Sequence, residues 1–313
     1  MFVEKTDDNG YYRIPSIVTL SNGDLLACYE CRKPTATDWG YIDIKIIKSV
    51  DDGQTWRTVK IITSGETMNN PVLTVCGEVV HLTYCKNYHD IYHLKSLDFG
   101  ESFSDEKLIP ITAMPYTVIA VGPGHGICHS GKIIMPIWFV NNLEDKFAHS
   151  PSKIATIYSS DGGETWTVGE VIGEDFLINP SECALAVTAD NKVLISIRNE
   201  NPEKLRAFAI SENGFSGWQD LALNTSFIDP ICQGSMVEFG DTVCHINCAN
   251  TEKRRDLTVK IIDKNLTIQR EIYVENFAGY SDIAVKDNKL FVLYENMFDD
   301  WKFNGLIFKK IDL

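Results

Sequence analysis

A short pattern recurs along this 313-residue chain and constrains its fold more than any other feature. It reads Ser-x-Asp-x-Gly-x-Thr/Ser-aromatic, where x is any residue. Complete copies begin at Ser49, Ser96 and Ser159, and a degraded copy begins at Ser211. The copies follow one another at intervals of about 50 residues, a period typical of chains built from repeated structural units.

The composition of each copy suits the tip of a β-hairpin. Each copy follows a segment of alternating apolar and polar residues, such as DIKIIKS before the first one. The aspartate can accept hydrogen bonds from N–H groups of its own turn, and the glycine can adopt a positive φ. The terminal Trp or Phe can then pack under the turn. We therefore predict that these aspartates have a structural role and no catalytic one.

The segments between the copies also predict short strands. Alternating runs flank the Asn22-Gly23 turn signal, and no stretch shows a sustained apolar period of 3.6 residues. An all-β chain with a repeat of about 50 residues is most simply built as a propeller, with one four-stranded sheet per repeat. We predict a six-bladed β-propeller of four-stranded antiparallel sheets, formed by residues 1–313 as a single domain. The C-terminal strand GLIFKKI is expected to complete the blade that begins near Ile14.

Composition excludes several classes of function. The 29 Lys and Arg residues against 43 Asp and Glu residues give a formal net charge of -14, which repels nucleic acid and anionic lipid. The mean hydropathy is -0.10, and the longest apolar stretch is broken by Pro136, so no membrane span is predicted. Nine cysteines without a spaced framework favour buried reduced thiols. With no visible signal peptide, these features predict a cytoplasmic protein, or a secreted one if a leader segment is missing from the sequence.

Two cysteine patterns could indicate redox chemistry or a metal, and each has a simpler interpretation. Cys28 and Cys31 form a CxxC inside LLACYECRK, which reads as a strand without a second cysteine pair. Cys85, His89 and His93 are spaced by four residues, but VVHLTYCKNYHDIYHLKS reads as two strands around a turn and not as a helix. No metal or organic cofactor is predicted.

The recurring pattern is the Asp box of the sialidase superfamily, and other segments add to this resemblance. Tyr12-Arg13-Ile14-Pro15 resembles the Tyr/Phe-Arg-Ile-Pro motif that opens the sialidase fold. Further segments resemble sialidase landmarks in the expected order: 37–40, 122–127, 181–183 leading to 197–198, 254–257 leading to 279–282, and 293–295. The resemblance covers nearly the whole chain, and the ordered set is far more specific than any single motif.

The resemblance implies a sialoside substrate, whose sugar carries a carboxylate on the anomeric carbon itself. Planar arginine forks bind such an anion better than lysine does. By resemblance the arginine triad is Arg13, Arg198 and Arg254, with Arg255 as the alternative for the third position. Glu295 resembles the carboxylate that braces the first arginine. Arg32 is expected either to contact a sugar hydroxyl or to be exposed to solvent.

The resemblance also implies which residues carry the chemistry. A neutral phenol avoids the repulsion that a carboxylate nucleophile would meet at this carbon, and Tyr280 resembles that nucleophile, with Glu182 as its base. Asp38 resembles the acid/base, and a partly shielded loop beside Trp39 is expected to raise its pKa. Asp43 is the rival candidate, but in YIDIKII it is expected to lie on a strand.

Segment 122–126 could be mistaken for a phosphate-binding loop because it is rich in glycine. It lacks the following Lys-Ser/Thr and any helix signal, and the resemblance implies a blade-entry turn near the pocket.

The motifs together predict a retaining exo-α-sialidase. It would hydrolyse terminal α-linked sialic acids of oligosaccharides or glycoconjugates through a tyrosyl-glycosyl intermediate. Two alternatives stay open. One is a non-catalytic propeller that binds glycans or proteins. The other is a related glycosidase or transglycosidase that acts on another 2-keto acid sugar or releases an anhydro product.

Overall fold

A computed structural model describes residues 1–7, 10–299 and 301–313, and these residues form strands and loops with no helix among them. The described part of the chain thus contains no helix long and apolar enough to cross a membrane. The strands are β1 (Phe2–Lys5), β2 (Tyr11–Thr19), β3 (Leu25–Lys33), β4 (Tyr41–Ser49), β5 (Arg57–Ile62), β6 (Met68–Cys76), β7 (Val79–Lys86), β8 (Asp90–Ser96), β9 (Lys107–Ile109), β10 (Val118–Val121), β11 (Gly124–His125), β12 (Ile127–His129), β13 (Lys132–Val140), β14 (Ser152–Ser159), β15 (Thr167–Val168), β16 (Cys183–Val187), β17 (Val193–Ile197), β18 (Leu205–Ser211), β19 (Gln219–Ile228), β20 (Ser235–Phe239), β21 (Thr242–Cys248), β22 (Arg255–Ile262), β23 (Ile268–Lys286), β24 (Lys289–Asp299) and β25 (Lys302–Asp312).

The strands pair into five sheets, and consecutive strands are usually neighbours. Two sheets have four strands each, in the orders β2-β3-β4-β5 and β16-β17-β18-β19. Two have five, one ordered β11-β6-β7-β8-β9 and the other β10-β13-β14-β15 with β12 beside β13. The last has seven, in the order β1-β25-β24-β23-β22-β21-β20. Pairing is antiparallel except between β11 and β6. The predicted all-β class is therefore confirmed.

The seven-stranded sheet arises because β23 is unusually long. Its first part, up to Phe277, pairs with β22, and its second part, from Ala278, pairs with β24. One strand thus belongs to two antiparallel groups, so the strand pairing gives five sheets where the repeat predicted six.

The expected closing strand also differs from the prediction. GLIFKKI lies in β25, which pairs with β24 on one side and with β1 on the other. The strand that contains Ile14, β2, pairs with β3 instead. The expectation that GLIFKKI completes the blade begun near Ile14 was therefore wrong, because the shorter β1 occupies that edge of β25.

The recurring motifs form the hairpin tips that the sequence predicted. Asp51 accepts hydrogen bonds from the Thr55 backbone N–H (2.8 Å), the Thr55 hydroxyl (2.7 Å) and the Ser49 hydroxyl (2.8 Å). These bonds lower the pKa of Asp51 to about 2. Gly53 has a φ of 78° and lies against Phe308, so a side chain there would be strained. The equivalent bonds of Asp98 and Asp161 repeat this geometry.

Apolar side chains fill the space between neighbouring sheets. The largest cluster packs β10 and β13 against β16 and β17, and it includes Ile119, Ile134, Leu185 and Ile195. Each fully buried side chain of this size contributes roughly 1.5–3 kcal/mol relative to an exposed one. This packing fixes the positions of β16 and β17, which are flanked by Glu182 and Arg198 of the site described below.

The buried carboxylate of Asp282 on β23 connects this strand to β2, β20 and β11. It accepts hydrogen bonds from the Ile17 N–H on β2 (2.7 Å) and the Ser235 hydroxyl on β20 (2.5 Å). It also lies 2.8 Å from Nδ1 of His125 on β11. Burial lowers the pKa of His125, but the charge and hydrogen bond of Asp282 outweigh that effect and raise it overall. Segment 122–126 is thus held beside β23 at Asp282, which follows Tyr280 by two residues in the sequence.

The cysteines differ in part from the prediction. Cys76 and Cys128 form a disulfide, so the expectation of reduced thiols was wrong for these two. The other seven cysteines are free and buried. Cys28 and Cys31 lie on β3, as predicted. The Cys85 and His93 positions likewise lie on strands, and no three His, Cys, Asp or Glu side chains of the described residues come together as metal ligands.

Two buried histidines make acid sensitivity a testable property of the fold. Nδ1 of His81 lies 2.9 Å from Nε2 of His93, with the rings stacked. The pKa of both imidazoles is lowered to about 4, mainly by burial, with smaller contributions from Lys95 to both and from His93 to His81. The unfolded chain therefore binds protons below about pH 6.5 while the folded chain does not until about pH 4.

We expect the free energy of unfolding to fall as the pH drops from about 6.5 to about 4, by on the order of 3 kcal/mol per histidine at most. Urea denaturation at pH 7.0 and 5.0 would measure this loss. A His81→Gln, His93→Gln double variant should show a clearly smaller loss over the same interval. An equal loss in both proteins would contradict the prediction.

Candidate active site

A tyrosine and a glutamate from distant parts of the chain form the centre of the site. The Tyr280 hydroxyl donates to the carboxylate of Glu182, with Oε1 at 2.6 Å and Oε2 at 2.8 Å. Both side chains are buried. Tyr280 is in the second part of β23, and Glu182 immediately precedes β16. The structure therefore brings together two residues that the sequence separates by 98 positions.

The charges around Tyr280 oppose one another. Burial raises the pKa of the phenol above its usual range, and the negative charge of Glu182 adds to the increase. The guanidinium groups of Arg198 and Arg254 act in the opposite direction without cancelling it. Tyr280 is therefore a neutral phenol at pH 7, and its proton already lies on a hydrogen bond to a carboxylate.

Arg198 follows β17 directly and faces this pair. Its backbone N–H donates to the Glu182 carbonyl (3.1 Å), so the two residues lie side by side on adjacent chain segments. Its Nη1 donates to the Tyr280 hydroxyl (2.8 Å) and to the Glu182 carboxylate. Its buried Nε has no hydrogen-bond partner among the described residues. An incoming anion could satisfy that donor.

Arg254 directly precedes β22 and Arg255 begins it, and their side chains contact different residues. The guanidinium of Arg254 lies 5.0 Å from the centre of the Tyr280 ring and 4.3 Å from that of Trp301. Its buried Nη1 lacks a hydrogen-bond partner within the described ranges. Arg255 instead lies 4.3 Å from the Phe277 ring and donates from Nε to Asn276 (3.3 Å). Of the two, Arg254 is the one that faces the tyrosine.

Arg13 reaches the site through a distortion of β2. The register of β2 against β3 shifts between Arg13 and Ser16, and Ile14 has a φ of 55°, which is rare for a β-branched residue. Glu295 stabilises this conformation by accepting the Ile14 N–H (3.0 Å) together with Nε of Arg13 (3.0 Å). The guanidinium is thereby held 5.5 Å from the Tyr280 ring centre.

Glu295 is fully buried and also fixes the tyrosine. Its Oε2 accepts the backbone N–H of Tyr280 (3.1 Å). A Cβ at Gly279 would lie 2.3 Å from the same oxygen, so only glycine allows this approach. One carboxylate therefore sets the relative position of Arg13 and Tyr280.

Asp38 lies in the loop between β3 and β4, with its side chain about half exposed (49%). Nη1 of Arg32 donates to its carboxylate (2.7 Å), and Nη1 of Arg13 lies 3.7 Å away. Partial burial raises the pKa of Asp38, but the positive charges of Arg32 and Arg13 outweigh it, and the pKa is lowered. The expected increase was therefore wrong, because the two arginines act more strongly than the shielding.

Arg32 is buried, so the solvent-exposed alternative was also wrong. Its Nη1 donates to the Ala36 carbonyl (2.7 Å) as well as to Asp38, which shapes the loop that carries Asp38. Asp43 lies on β4 opposite Cys31, on the strand that was expected for it.

Several residues of this region carry no motif that sequence reasoning could identify. Glu30 lies beneath Arg32, and its only signal is the two-residue spacing that puts both side chains on one face of β3. Trp301 lies between β24 and β25, far along the chain from the arginine that it contacts. The others form an aromatic group with Trp39 beside Asp38: Tyr88, Trp138, Phe147 and His149.

A cavity of about 310 Å³ lies beside two of the arginines. It is lined by Arg198, Arg254, Met297, Trp301, Pro230, Ile231, Glu252 and Lys253. Two guanidinium groups with unsatisfied donors line it together with apolar surface. The arrangement can hold an anion through charge-assisted hydrogen bonds while the ring of the ligand packs on the apolar wall. Arg198 also contacts the Tyr280 phenol and the Glu182 carboxylate, so an anion bound there would lie near a pair suited to nucleophilic attack.

The chain matches one family model and many known proteins. The model of the BNR repeat-like domain matches residues 23–291. A sialidase of Paraclostridium sordellii is 29% identical, over 91% of this chain and 81% of that protein. An exo-alpha-sialidase of Arthroderma benhamiae is 25% identical, over 93% of this chain and 78% of that protein.

Solved structures show the same fold at lower identity. A Hadza microbial sialidase aligns with a TM-score of 0.81 and 21% identity, covering 98% of this chain and 67% of its own. An intramolecular trans-sialidase from Ruminococcus gnavus, solved with oseltamivir carboxylate, also aligns with a TM-score of 0.81, at 15% identity, covering 100% of this chain and 96% of its own.

Proposed function

Since this chain belongs to the BNR repeat-like domain family, we propose that it is an exo-α-sialidase that hydrolyses terminal α-linked sialic acids with retention of configuration. One observation carries this proposal: the Tyr280 hydroxyl donates to both oxygens of Glu182 beside the guanidinium groups of three arginines. Its relatives of similar length are named sialidases, which agrees with this chemistry. The substrates are sialylated oligosaccharides or glycoconjugates.

In the first step, Arg13, Arg198 and Arg254 bind the carboxylate of the sugar and place its anomeric carbon over the phenol oxygen. The Tyr280 oxygen attacks this carbon while Glu182 takes the phenolic proton. The bond to the leaving oxygen breaks, and Asp38 gives that oxygen a proton. The product is a covalent tyrosyl-glycosyl intermediate, with Glu182 protonated and Asp38 ionised.

The raised pKa of Tyr280 explains why the base is needed. A buried phenol that ionised before attack would cost more free energy than in water, since burial disfavours its charged form. Transfer of the proton to Glu182 during the attack avoids a free phenolate. The arginines stabilise the negative charge that develops on the oxygen.

In the second step, the ionised Asp38 takes a proton from water, and the resulting hydroxide attacks the anomeric carbon. The bond from that carbon to the Tyr280 oxygen breaks, and Glu182 returns the proton to the phenol. Two inversions at one carbon give net retention.

We also propose that the sheets are arranged as a six-bladed propeller, with β23 shared by two blades. A continuous series of contacts supports this arrangement: β2 with β6, β6 with β10 and β13, β13 with β16, β16 with β20, β20 with β23, and β23 with β2. In that arrangement the first strands surround one axis, and the site lies at one end of it.

A second candidate is an intramolecular transfer, in which a hydroxyl of the bound sugar replaces water and an anhydro sugar is released. The exposed indole of Trp301 favours it, because an apolar surface over the Arg254 side of the cavity limits the access of water. The mass of the released sugar separates the two reactions, since hydrolysis adds one water molecule and intramolecular transfer adds none.

Incubation with 4-nitrophenyl and lactose α-sialosides, followed by mass spectrometry of the products, tests the proposed function. Release of free sialic acid is expected. The absence of any released sugar across N-acetyl, N-glycolyl and deaminated variants would contradict it and favour a glycan-binding propeller.

The charge on the substrate gives a pH prediction. The positive charges of Arg32 and Arg13 hold the pKa of Asp38 low in the free protein. A substrate carboxylate bound to Arg13 brings negative charge close to Asp38, so the pKa of Asp38 should rise in the complex. With 3′-sialyllactose, whose leaving group needs the proton, the alkaline limb of kcat should therefore lie at higher pH than that of kcat/KM. Coinciding limbs, or the reverse order, would contradict this.

A further inference from the structure

Beneath Arg32 lies a carboxylate that no part of the proposed mechanism uses. Glu30 is fully buried on β3, directly across the strand pair from Arg13 and two residues before Arg32. Its Oε2 accepts Nε of Arg32 at 2.7 Å, and Nη2 of the same guanidinium lies 2.6 Å from this oxygen. The edge of the arginine opposite the loop is therefore occupied by a single carboxylate.

The second oxygen of Glu30 is held by a neighbouring sheet. Oε1 accepts the backbone N–H of Asn70 on β6 at 2.7 Å, where the chain has a φ of 51° and the register against β7 shifts. The adjacent Asn69 contacts the Asp38 carbonyl through Nδ2 (3.3 Å). Glu30 is thus anchored to two sheets and not to the exposed loop that carries Asp38.

The other side of the arginine meets the reacting group. Nη1 of Arg32 donates to the Asp38 carboxylate and to the Ala36 carbonyl, both at 2.7 Å. Three charged side chains therefore lie in a row, in the order Glu30, Arg32, Asp38. The guanidinium group of Arg32 is planar, and Glu30 holds its Nε and Nη2 atoms. The direction of its Nη1 is therefore fixed as well.

We propose that Glu30 is a positioning residue for the acid/base step: it orients Arg32 towards Asp38 and offsets the arginine charge, so that Asp38 can still carry the proton that the leaving group needs. The inference rests on the proposed function, in which Asp38 is that acid. A lone Arg32 would stabilise ionised Asp38 and make it a poor acid. A buried negative charge behind the arginine weakens that effect.

The pKa of Glu30 is raised overall. Burial raises it, and the opposing effects of Arg32, the Asn70 N–H and Arg13 do not fully offset that increase. The charged groups that face Arg32 are Glu30 and Asp38, and the Tyr88 phenol also acts on it. Arg13 lies across the strand pair from Glu30, and His149 acts on Asp38.

The test compares two leaving groups with the full-length protein. Lactose leaves only when protonated, whereas 4-nitrophenolate leaves without help. In Glu30→Gln, kcat/KM at pH 7 for 3′-sialyllactose should fall at least about 10-fold more than for 4-nitrophenyl sialoside. The alkaline limb of kcat/KM for sialyllactose should move about one pH unit downwards.

A matched control is Asp229→Asn. Asp229 is also a buried carboxylate, paired with the buried Arg206 (2.9 Å), and it directly follows β19, far along the chain from the loop that carries Asp38. Asp229→Asn should lower the thermal stability about as much as Glu30→Gln does. It should not change the ratio of kcat/KM between the two substrates or the position of the alkaline limb for sialyllactose. Equal losses on both substrates in Glu30→Gln, with an unmoved limb, would overturn the inference and indicate a merely structural carboxylate.

A second variant keeps the test decisive if Glu30→Gln does not fold. Glu30→Asp retains the charge but is one methylene shorter, so it draws Arg32 away from Asp38. The kcat/KM for 3′-sialyllactose divided by that for 4-nitrophenyl sialoside should then fall about 3-fold or more. An unchanged ratio would overturn the inference. If the unmodified protein turned over neither substrate, the proposed function itself would fail, which is a different result from a Glu30 variant that behaves like wild type.

Discussion

Replacement of Tyr280 by phenylalanine is expected to lower kcat on an aryl α-sialoside by on the order of 1,000-fold, or about 4 kcal/mol of transition-state stabilisation. The variant loses the oxygen that we propose forms the glycosyl bond, and it removes the phenol that donates to Glu182 at 2.6 Å. The arginines still bind the sugar, so KM should change little. The remaining turnover would come from direct attack by water on a bound and oriented substrate.

The stereochemical outcome is the sharper readout for this variant. Proton NMR of the wild-type reaction should show the α anomer of the sugar first, because two displacements retain the configuration. Residual turnover in Tyr280→Phe should no longer pass through the intermediate. An initial β anomer from the wild type, or full kcat in the variant, would contradict the assignment of the nucleophile.

Tyr294→Phe provides a matched control for the loss of a buried phenol oxygen. Tyr294 is fully buried on β24, and its hydroxyl donates to Glu275 (3.0 Å), a carboxylate outside the site. The change removes one hydrogen bond to a charged group, which costs roughly 1.5–3 kcal/mol of stability. We expect kcat to stay within about 3-fold of wild type. A large loss of kcat in this control would show that Tyr→Phe changes in this region act through the fold.

The repeat made most of the fold accessible from sequence. The bonding of Asp51 and its counterparts is local, so a short motif is enough to predict it. The position of sheet boundaries is a different matter. Whether β23 ends at Phe277 or continues into the next group depends on backbone pairing across the sheet, and Gly279 signals only a local irregularity there.

The site shows the same division between local and distant causes. Motif order predicted that Tyr280 and Glu182 belong to one site, and they lie in hydrogen-bond contact. The pKa of Asp38 could not be anticipated, because it depends on the distances to Arg32 and Arg13, which only the folded loop defines. Glu30 was missed for a related reason. The role of a carboxylate on a strand face can be inferred only once the folded structure shows that the arginine it binds also contacts Asp38.

The adjacent pair of arginines permits a second strong prediction. Arg254→Lys should lower kcat/KM by about 100-fold, mostly through KM, because a lysine cannot provide two parallel N–H donors to the sugar carboxylate. Two charge-assisted hydrogen bonds are worth about 3–6 kcal/mol, of which an ammonium group can recover part. Steady-state kinetics with an aryl α-sialoside would measure the effect.

Arg255→Lys is the matched control, since it makes the same chemical change one residue away. Arg255 packs on Phe277 and donates to Asn276, so it has no access to an anion held beside Tyr280. Its kcat/KM should change less than about 3-fold. If Arg255→Lys caused the larger loss, the third arginine would have been assigned wrongly. If both variants kept wild-type KM, the carboxylate would have to be bound by Arg13 and Arg198 alone, and the unsatisfied Nη1 of Arg254 would need another ligand.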